Sequence, residues 1–227
     1  ENQPMLYYGV LSSKVNIDLL AENAVARLRQ TLGVPRLHAT ELGNKGLSRI
    51  ALELTRVQKQ LGFVFDIYRV AKPDHAIISF FDQVFDQGVN PAVTWTGYWT
   101  PLRYVLLLKV ASLFDEEIAR LAWKARIEVD ATAGQLAMIS VCRELRQRVA
   151  RLPDARSRQL ITDALTWAEN NPALIAYNVS NKKAILEITP NIIGFQSVMH
   201  GIANRITRNN RNASRIVVDQ QSQFNKS

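Results

Sequence analysis

Short apolar segments alternate with amphipathic helices at both ends of this chain, and a long helical stretch separates the two ends. Residues 5–11 (MLYYGVL) and 63–70 (FVFDIYRV) are rich in aromatic and β-branched side chains, which is typical of strands. Between them, apolar residues recur at every fourth position from Leu20 to Leu32 and predict a helix that stops at Gly33. This order favours an α/β sheet with helices packed on it.

The remainder of the chain divides the predicted sheet into two parts. We expect one domain in which residues 1–101 form the first part of an α/β core, 102–170 form a helical insertion or cap, and 171–227 complete the core. In the last part, residues 174–179, 184–188 and 215–219 are predicted strands and 191–208 a predicted helix. We expect both ends to be trimmed, since the sequence starts without Met and stops just after a predicted strand.

Composition limits the functional classes. Lys and Arg number 28 against 20 Asp and Glu, a formal net charge of +8, which favours a polyanionic partner such as nucleic acid. No apolar run approaches the roughly 18 residues of a membrane span, so we expect no membrane partner. The single cysteine, Cys142, fits a reducing compartment, and we expect a cytoplasmic protein.

Several common catalytic motifs are absent from the sequence. It contains no Walker-type glycine loop, no dinucleotide glycine fingerprint, no GxSxG nucleophile elbow, no HExxH and no CxxC pair. The three histidines (His38, His75 and His200) are widely separated and lack the spacing of zinc ligands. The sequence therefore gives little support to these enzyme classes.

Two carboxylates remain as candidates for chemistry. Asp219 follows the apolar residues 216–218 and would project from the carboxyl end of a strand, where α/β folds commonly bind ligands. Glu41 lies in a predicted linker, three residues after His38. A turn or cap at Asp219 and a surface ion pair at Glu41 are the structural alternatives.

Two basic stretches indicate where a polyanion could bind. The first, residues 143–158, contains Arg143, Arg146, Arg148, Arg151, Arg156 and Arg158. The second contains Arg205, Arg208, Arg211 and Arg215 without any acidic residue, which predicts contacts with backbone phosphates. Either stretch could instead be a solvated surface. Trp95, Tyr98 and Trp99 could stack on bases or pack as a loop against the helical region.

The order of these elements resembles a known family. The segments MLYYGVL, His38-Ala39-Thr40-Glu41-Leu42, the strand that leads to Lys72-Pro73, and RIVVD are similar to those of the domain of unknown function 3800 family. The resemblance covers most of the chain through short motifs. The family's opening Asp-Glu-Ser-Gly strand and its closing Gln-x-Ala-Asp helix have no counterpart here.

The resemblance implies a ribonuclease H-like mixed sheet, flanked by helices, that holds divalent metal at one edge. By position, Glu41 and Asp219 match family acidic residues and would be catalytic metal ligands for Mg²⁺ or Mn²⁺, with His38 of the same motif as a third catalytic candidate. Oxygen ligands suit these metals, and a two-metal site can activate the water that attacks a phosphodiester.

Two functional hypotheses follow. The first is a metal-dependent nuclease or phosphodiester hydrolase acting on nucleic acid. The alternative is a non-catalytic module that binds nucleic acid or docks in a larger complex, with residues 102–170 as a surface for a protein partner or a second copy. A small-molecule enzyme has no sequence feature in its favour.

Overall fold

The two early strands form a two-stranded antiparallel sheet, and the predictions of both strands are confirmed. A computed structural model describes residues 4–208 and 212–218. Strand β1 (Met5–Ser12) pairs with strand β2 (Val64–Ala71). At one end of this ladder the Lys72 amide donates to the Pro4 carbonyl oxygen over 2.9 Å.

The chain divides into two compact units, of which the smaller is Tyr8–Tyr68. Besides the paired strands, this unit contains α1 (Ile17–Leu20), α2 (Glu22–Leu32) and α3 (Ala39–Leu61). The Asn16 side chain accepts from the Asp18 amide at the start of α1, over 3.1 Å. Gly33 and Gly62 end α2 and α3 in the left-handed conformation, with φ of 68° and 61°.

The larger unit comprises residues 1–7 and 69–227. Its helices are α4 (Lys72–Val84), α5 (Trp95–Trp99), α6 (Leu102–Ala111), α7 (Glu116–Arg126), α8 (Ala131–Arg148), α9 (Ala155–Asn170), α10 (Lys182–Glu187) and α11 (Pro190–Arg208). Helix α8 packs against both α7 and α9, and α4 packs against α7. The core between them contains fully buried Phe80, Met138, Leu145 and Leu165.

Aspartate side chains begin three of these helices. The carboxylates of Asp115, Asp130 and Asp154 accept from the backbone amides of Ile118, Ala133 and Ser157 over 2.7 to 2.9 Å. Residues 102–126 form two helices and not one, because Asp115 starts α7 after the chain leaves α6.

The predicted ribonuclease H-like mixed sheet is wrong, because the described residues are mostly helical and pair only two strands. Residues 184–187 belong to a helix instead of a strand, and Ile188 follows its last turn, since the Asn181 side chain caps α10 by accepting from the Ala184 amide over 3.0 Å. Residues 215–218 form no strand. Asp219, which was to end that strand, lies outside the described residues.

Residues 174–179 form no strand, although their side chains alternate between buried and more exposed positions. Ile175, Tyr177 and Val179 are buried while Ala176 is exposed, which is the period of an extended chain. Their polar groups bond to a helix instead of a neighbouring strand: the Tyr177 hydroxyl donates to Ala122 O over 2.9 Å, and the Val179 amide donates to Arg126 O over 3.1 Å.

None of the helices within residues 4–208 and 212–218 is both long enough and apolar enough to cross a membrane. Helix α6, for example, is mainly apolar but has 10 residues, whereas a span needs about 20.

We predict that Asn90 is essential to the stability of the larger unit. Its fully buried amide donates to Val84 O and Ala164 O over 2.8 and 3.0 Å, and its carbonyl accepts from the Ala92 amide. Asn90→Ala should lower the free energy of unfolding by about 2 to 4 kcal/mol, because three backbone groups lose their partners.

Urea unfolding followed by circular dichroism measures this loss. The control is Asn170→Ala at the exposed end of α9, for which we expect a change below about 0.5 kcal/mol. Equal stability of the two variants would show that the Asn90 bonds are unimportant.

Candidate nucleic-acid interface

Positive charge is distributed unevenly along the chain. Residues 69–179, which form the helical core, contain 13 basic and 12 acidic residues, whereas residues 180–227 contain 7 basic and 2 acidic ones. Residues 188–218 contain no Asp or Glu at all. The second basic stretch therefore lies in a region of surplus positive charge, and the first does not.

Within the first basic stretch, the structure gives most arginines local partners. Arg143 and Arg146 both pair with the nearly buried Glu169, with N–O distances of 3.4 and 2.9 Å. Arg148 pairs with Asp115 at 2.7 Å and donates to the Leu113 carbonyl. The Arg158 guanidinium donates to Leu152 O over 2.6 Å. These contacts make the stretch mainly a set of structural arginines.

Helix α11 presents a different surface. Its apolar residues Ile192, Phe195, Ile202 and Ile206 are half-buried, whereas Ile193 and Met199 are exposed. Six polar positions on the helix are exposed: Gln196, Ser197, His200, Asn204, Thr207 and Arg208. The exposed side chains thus offer several hydrogen-bond donors and no carboxylate.

The predicted phosphate-binding arginines lie in and after the last turn of this helix. Arg205 is half-buried and Arg208 is exposed, both in the last turn of α11, and Arg215 is exposed in the segment that follows. Arg211 lies outside the described residues. The structure therefore places Arg205 and Arg208 on the same helix as the exposed polar side chains.

The aromatic segment is partly packed and partly exposed. Tyr98 is buried against Phe81, and the Arg103 guanidinium stacks on the Tyr98 ring at 4.6 Å from its centroid. Trp95 and Trp99 remain more than half exposed, and the Trp99 indole donates to Gln87 Oε1 over 3.0 Å. The segment therefore anchors on the core through Tyr98 and leaves its two tryptophans at the surface.

Two predicted catalytic residues, Glu41 and His38, lie in the smaller unit. Glu41 forms an ion pair with Arg36. Both carboxylate oxygens of Glu41 accept from Arg36, with Nε–Oε2 at 3.2 Å. The Arg36 hydrogen bond, together with the charges of Arg36 and His38, lowers the pKa of Glu41. His38 precedes α3, and its carbonyl accepts from the Glu41 and Leu42 amides.

This geometry does not favour a divalent metal at Glu41. A metal would have to displace the Arg36 guanidinium from the carboxylate, and residues 4–208 and 212–218 contain no group of three or more His, Cys, Asp or Glu that could hold an ion. The second predicted ligand, Asp219, lies outside the described residues. The metal site and the nuclease activity stay predictions.

The exposed polar side chains of α11 were missed by sequence reasoning, which considered only the arginines. The signal was available as the long interval without carboxylates, residues 188–218. Only the structure shows which side of the helix is exposed, and therefore that Gln196 is exposed while Phe195 is half-buried.

Comparison with known proteins finds no matching family model, no matching curated protein and no matching solved structure.

Metal-dependent cleavage tests the role of Glu41. If Glu41 is a metal ligand, Glu41→Gln should lower Mn²⁺-dependent cleavage of an oligonucleotide by at least about 100-fold, because the metal loses an anionic oxygen. Glu53→Gln is the matched control, since Glu53 is also on α3 and pairs with Arg56 at 3.2 Å. The same cleavage rate in both variants would reject Glu41 as a ligand.

Proposed function

We propose that this chain is a non-catalytic nucleic-acid-binding module that contacts the sugar-phosphate backbone through α11 and the residues that follow it. The observation that carries the proposal is the absence of Asp and Glu from residues 188–218, a segment whose helix exposes amide, hydroxyl, imidazole and guanidinium groups. Such groups supply most protein contacts to phosphate and sugar.

The dimensions of α11 suit an extended polyanion. Its 19 residues correspond to a length of about 28 Å. Duplex nucleic acid carries one phosphate per about 1.7 Å of axis, so several phosphates fall within reach of one face of the helix. Gln196, His200, Asn204 and Thr207 recur every three or four residues, which places them along that face.

The near-neutral helical core supports the same proposal. Several of its basic residues pair with nearby carboxylates, as in the pairs Lys109 with Asp154 and Arg120 with Glu116, at 2.6 and 2.8 Å. A polyanion gains little by approaching such paired charges. The attraction is therefore expected to be concentrated at α11 and beyond.

Salt-dependent binding tests the proposal. We expect the association constant for a fluorescent oligonucleotide, measured by anisotropy, to fall as salt rises and to be unchanged by EDTA. The double variant Arg208→Gln, Arg215→Gln should bind more weakly, and the slope of log K against log salt should become shallower by about 1.5, because two phosphate contacts are lost.

The matched control is Arg151→Gln combined with Arg156→Gln. These arginines are exposed in the first basic stretch, so the control removes the same charge from another part of the molecule. We expect its slope to equal that of the unaltered chain. If both double variants weaken binding equally, net charge alone explains the binding. Binding that ignores salt would contradict the proposal as a whole.

A further inference from the structure

Helices α4 and α7 pack against each other and bring a serine of one to an arginine of the other. The Arg126 Nε atom donates to the Ser79 hydroxyl over 3.3 Å, and Nη1 of the same guanidinium donates to the Tyr177 carbonyl oxygen. One turn earlier on both helices, the His75 and Trp123 rings lie 5.2 Å apart. The guanidinium is therefore held at the contact between α4 and α7.

The Arg126 guanidinium is half-buried without a counter-charge. No Asp or Glu within residues 4–208 and 212–218 forms an ion pair with it. Arg103 and Arg148 are half-buried as well, but they pair with Asp82 and Asp115 respectively. Burial removes water that stabilises a charge, and this loss lowers the pKa of Arg126. A bound anion would supply the counter-charge that Arg103 and Arg148 already have.

Hydrogen-bond donors remain available at the same place. Ser79 Oγ accepts from Arg126, and its own hydrogen has no acceptor within the part of the chain that the structure describes. In the same part of the chain, Nη2 of Arg126 donates to no acceptor and is not among the fully buried polar atoms, so solvent reaches it. A guanidinium has five N–H donors and a serine hydroxyl has one. Most of these hydrogens are thus left to bind an acceptor.

We propose that Arg126 and Ser79 bind a phosphate group at the contact between α4 and α7. The oxygens of a phosphate ester accept hydrogen bonds, which suits a site that offers donors and no carboxylate. They are arranged as a tetrahedron and can meet donors from two helices, whereas the two oxygens of a carboxylate lie in one plane. Arginine and serine are both common donors to phosphate. This inference does not depend on the binding of nucleic acid by α11.

Isothermal titration calorimetry of the whole chain with inorganic phosphate, at constant ionic strength, tests the site. We expect Ser79→Ala to raise the dissociation constant at least about threefold, because the phosphate loses one hydrogen bond. Ser157→Ala is the matched control. The Ser157 hydroxyl also contacts a basic side chain, Lys109, but that cation already pairs with Asp154. We expect the control to bind phosphate as the unaltered chain does.

Arg126→Lys gives a second measurement. It keeps the positive charge but loses the planar set of donors, so we expect the dissociation constant to rise at least about tenfold. The matched control is Arg148→Lys, since Arg148 also donates to a backbone carbonyl, that of Leu113, but already has a carboxylate partner. Circular dichroism checks the fold of each variant. Ser79→Ala leaves the Arg126 bond to Tyr177 in place, so its result decides the question if a lysine variant unfolds.

Competition with a fluorescent oligonucleotide identifies the source of the phosphate group. Displacement of the oligonucleotide by phosphate, together with weaker oligonucleotide binding by Ser79→Ala, would assign the site to a nucleic-acid backbone. Phosphate binding that leaves the oligonucleotide bound would assign it to a small phosphate ester. The double variant Arg208→Gln, Arg215→Gln should leave the affinity for inorganic phosphate unchanged, so this inference and the proposed function can fail separately.

Three results would overturn the inference. The first is a chain that shows no measurable binding of phosphate. The second is an equal loss of affinity in each variant and its matched control. The third is acetate that binds at the same ionic strength as tightly as phosphate, which would assign Arg126 to a carboxylate ligand instead.

Discussion

Close packing of α8 against its neighbours is the constraint on which the rest of the larger unit depends. The buried positions on α7 and α9 are mainly small, including Ala122, Ala125, Ala164 and Ala168, which lets helices approach closely. Gly134 of α8 is buried beneath Asn178, and a Cβ there would lie 2.6 Å from the Asn178 side chain. Asn178 donates to Glu128 O over 3.0 Å, so this approach holds the extended residues 175–179 against the helices.

The aspartates that cap these helices also form ion pairs with basic side chains of the core. Asp115 and Asp154 are N-caps whose carboxylates additionally attract Arg148 and Lys109. The Lys109 ammonium and the Ser157 amide hold the pKa of Asp154 well below its usual value. Each of these two carboxylates therefore caps a helix and also pairs with one basic side chain of the core. Residues 188–218, by contrast, contain no Asp or Glu in the sequence.

The sequence predicted those elements that depend on side-chain type and on the conformational freedom of single residues. The strands 5–11 and 63–70 and the helix stop at Gly33 follow from side-chain type and backbone freedom. Residues 174–179 were predicted as a strand because they are apolar, but apolar character does not reveal the hydrogen-bond partners, which here are helical carbonyls. The role of Arg205 and Arg208 as phosphate contacts stays a prediction from the sequence. The pairing of Glu41 with Arg36 required the structure, because it depends on how the chain turns into α3.

The larger unit separates two kinds of surface onto two helices. Helix α6 exposes apolar side chains while its charges are paired, and α11 exposes polar and cationic side chains without a carboxylate. If apolar and cationic side chains shared one helix, an apolar contact on that helix would also bury charged groups. Burying a charged group costs free energy when no oppositely charged group pairs with it.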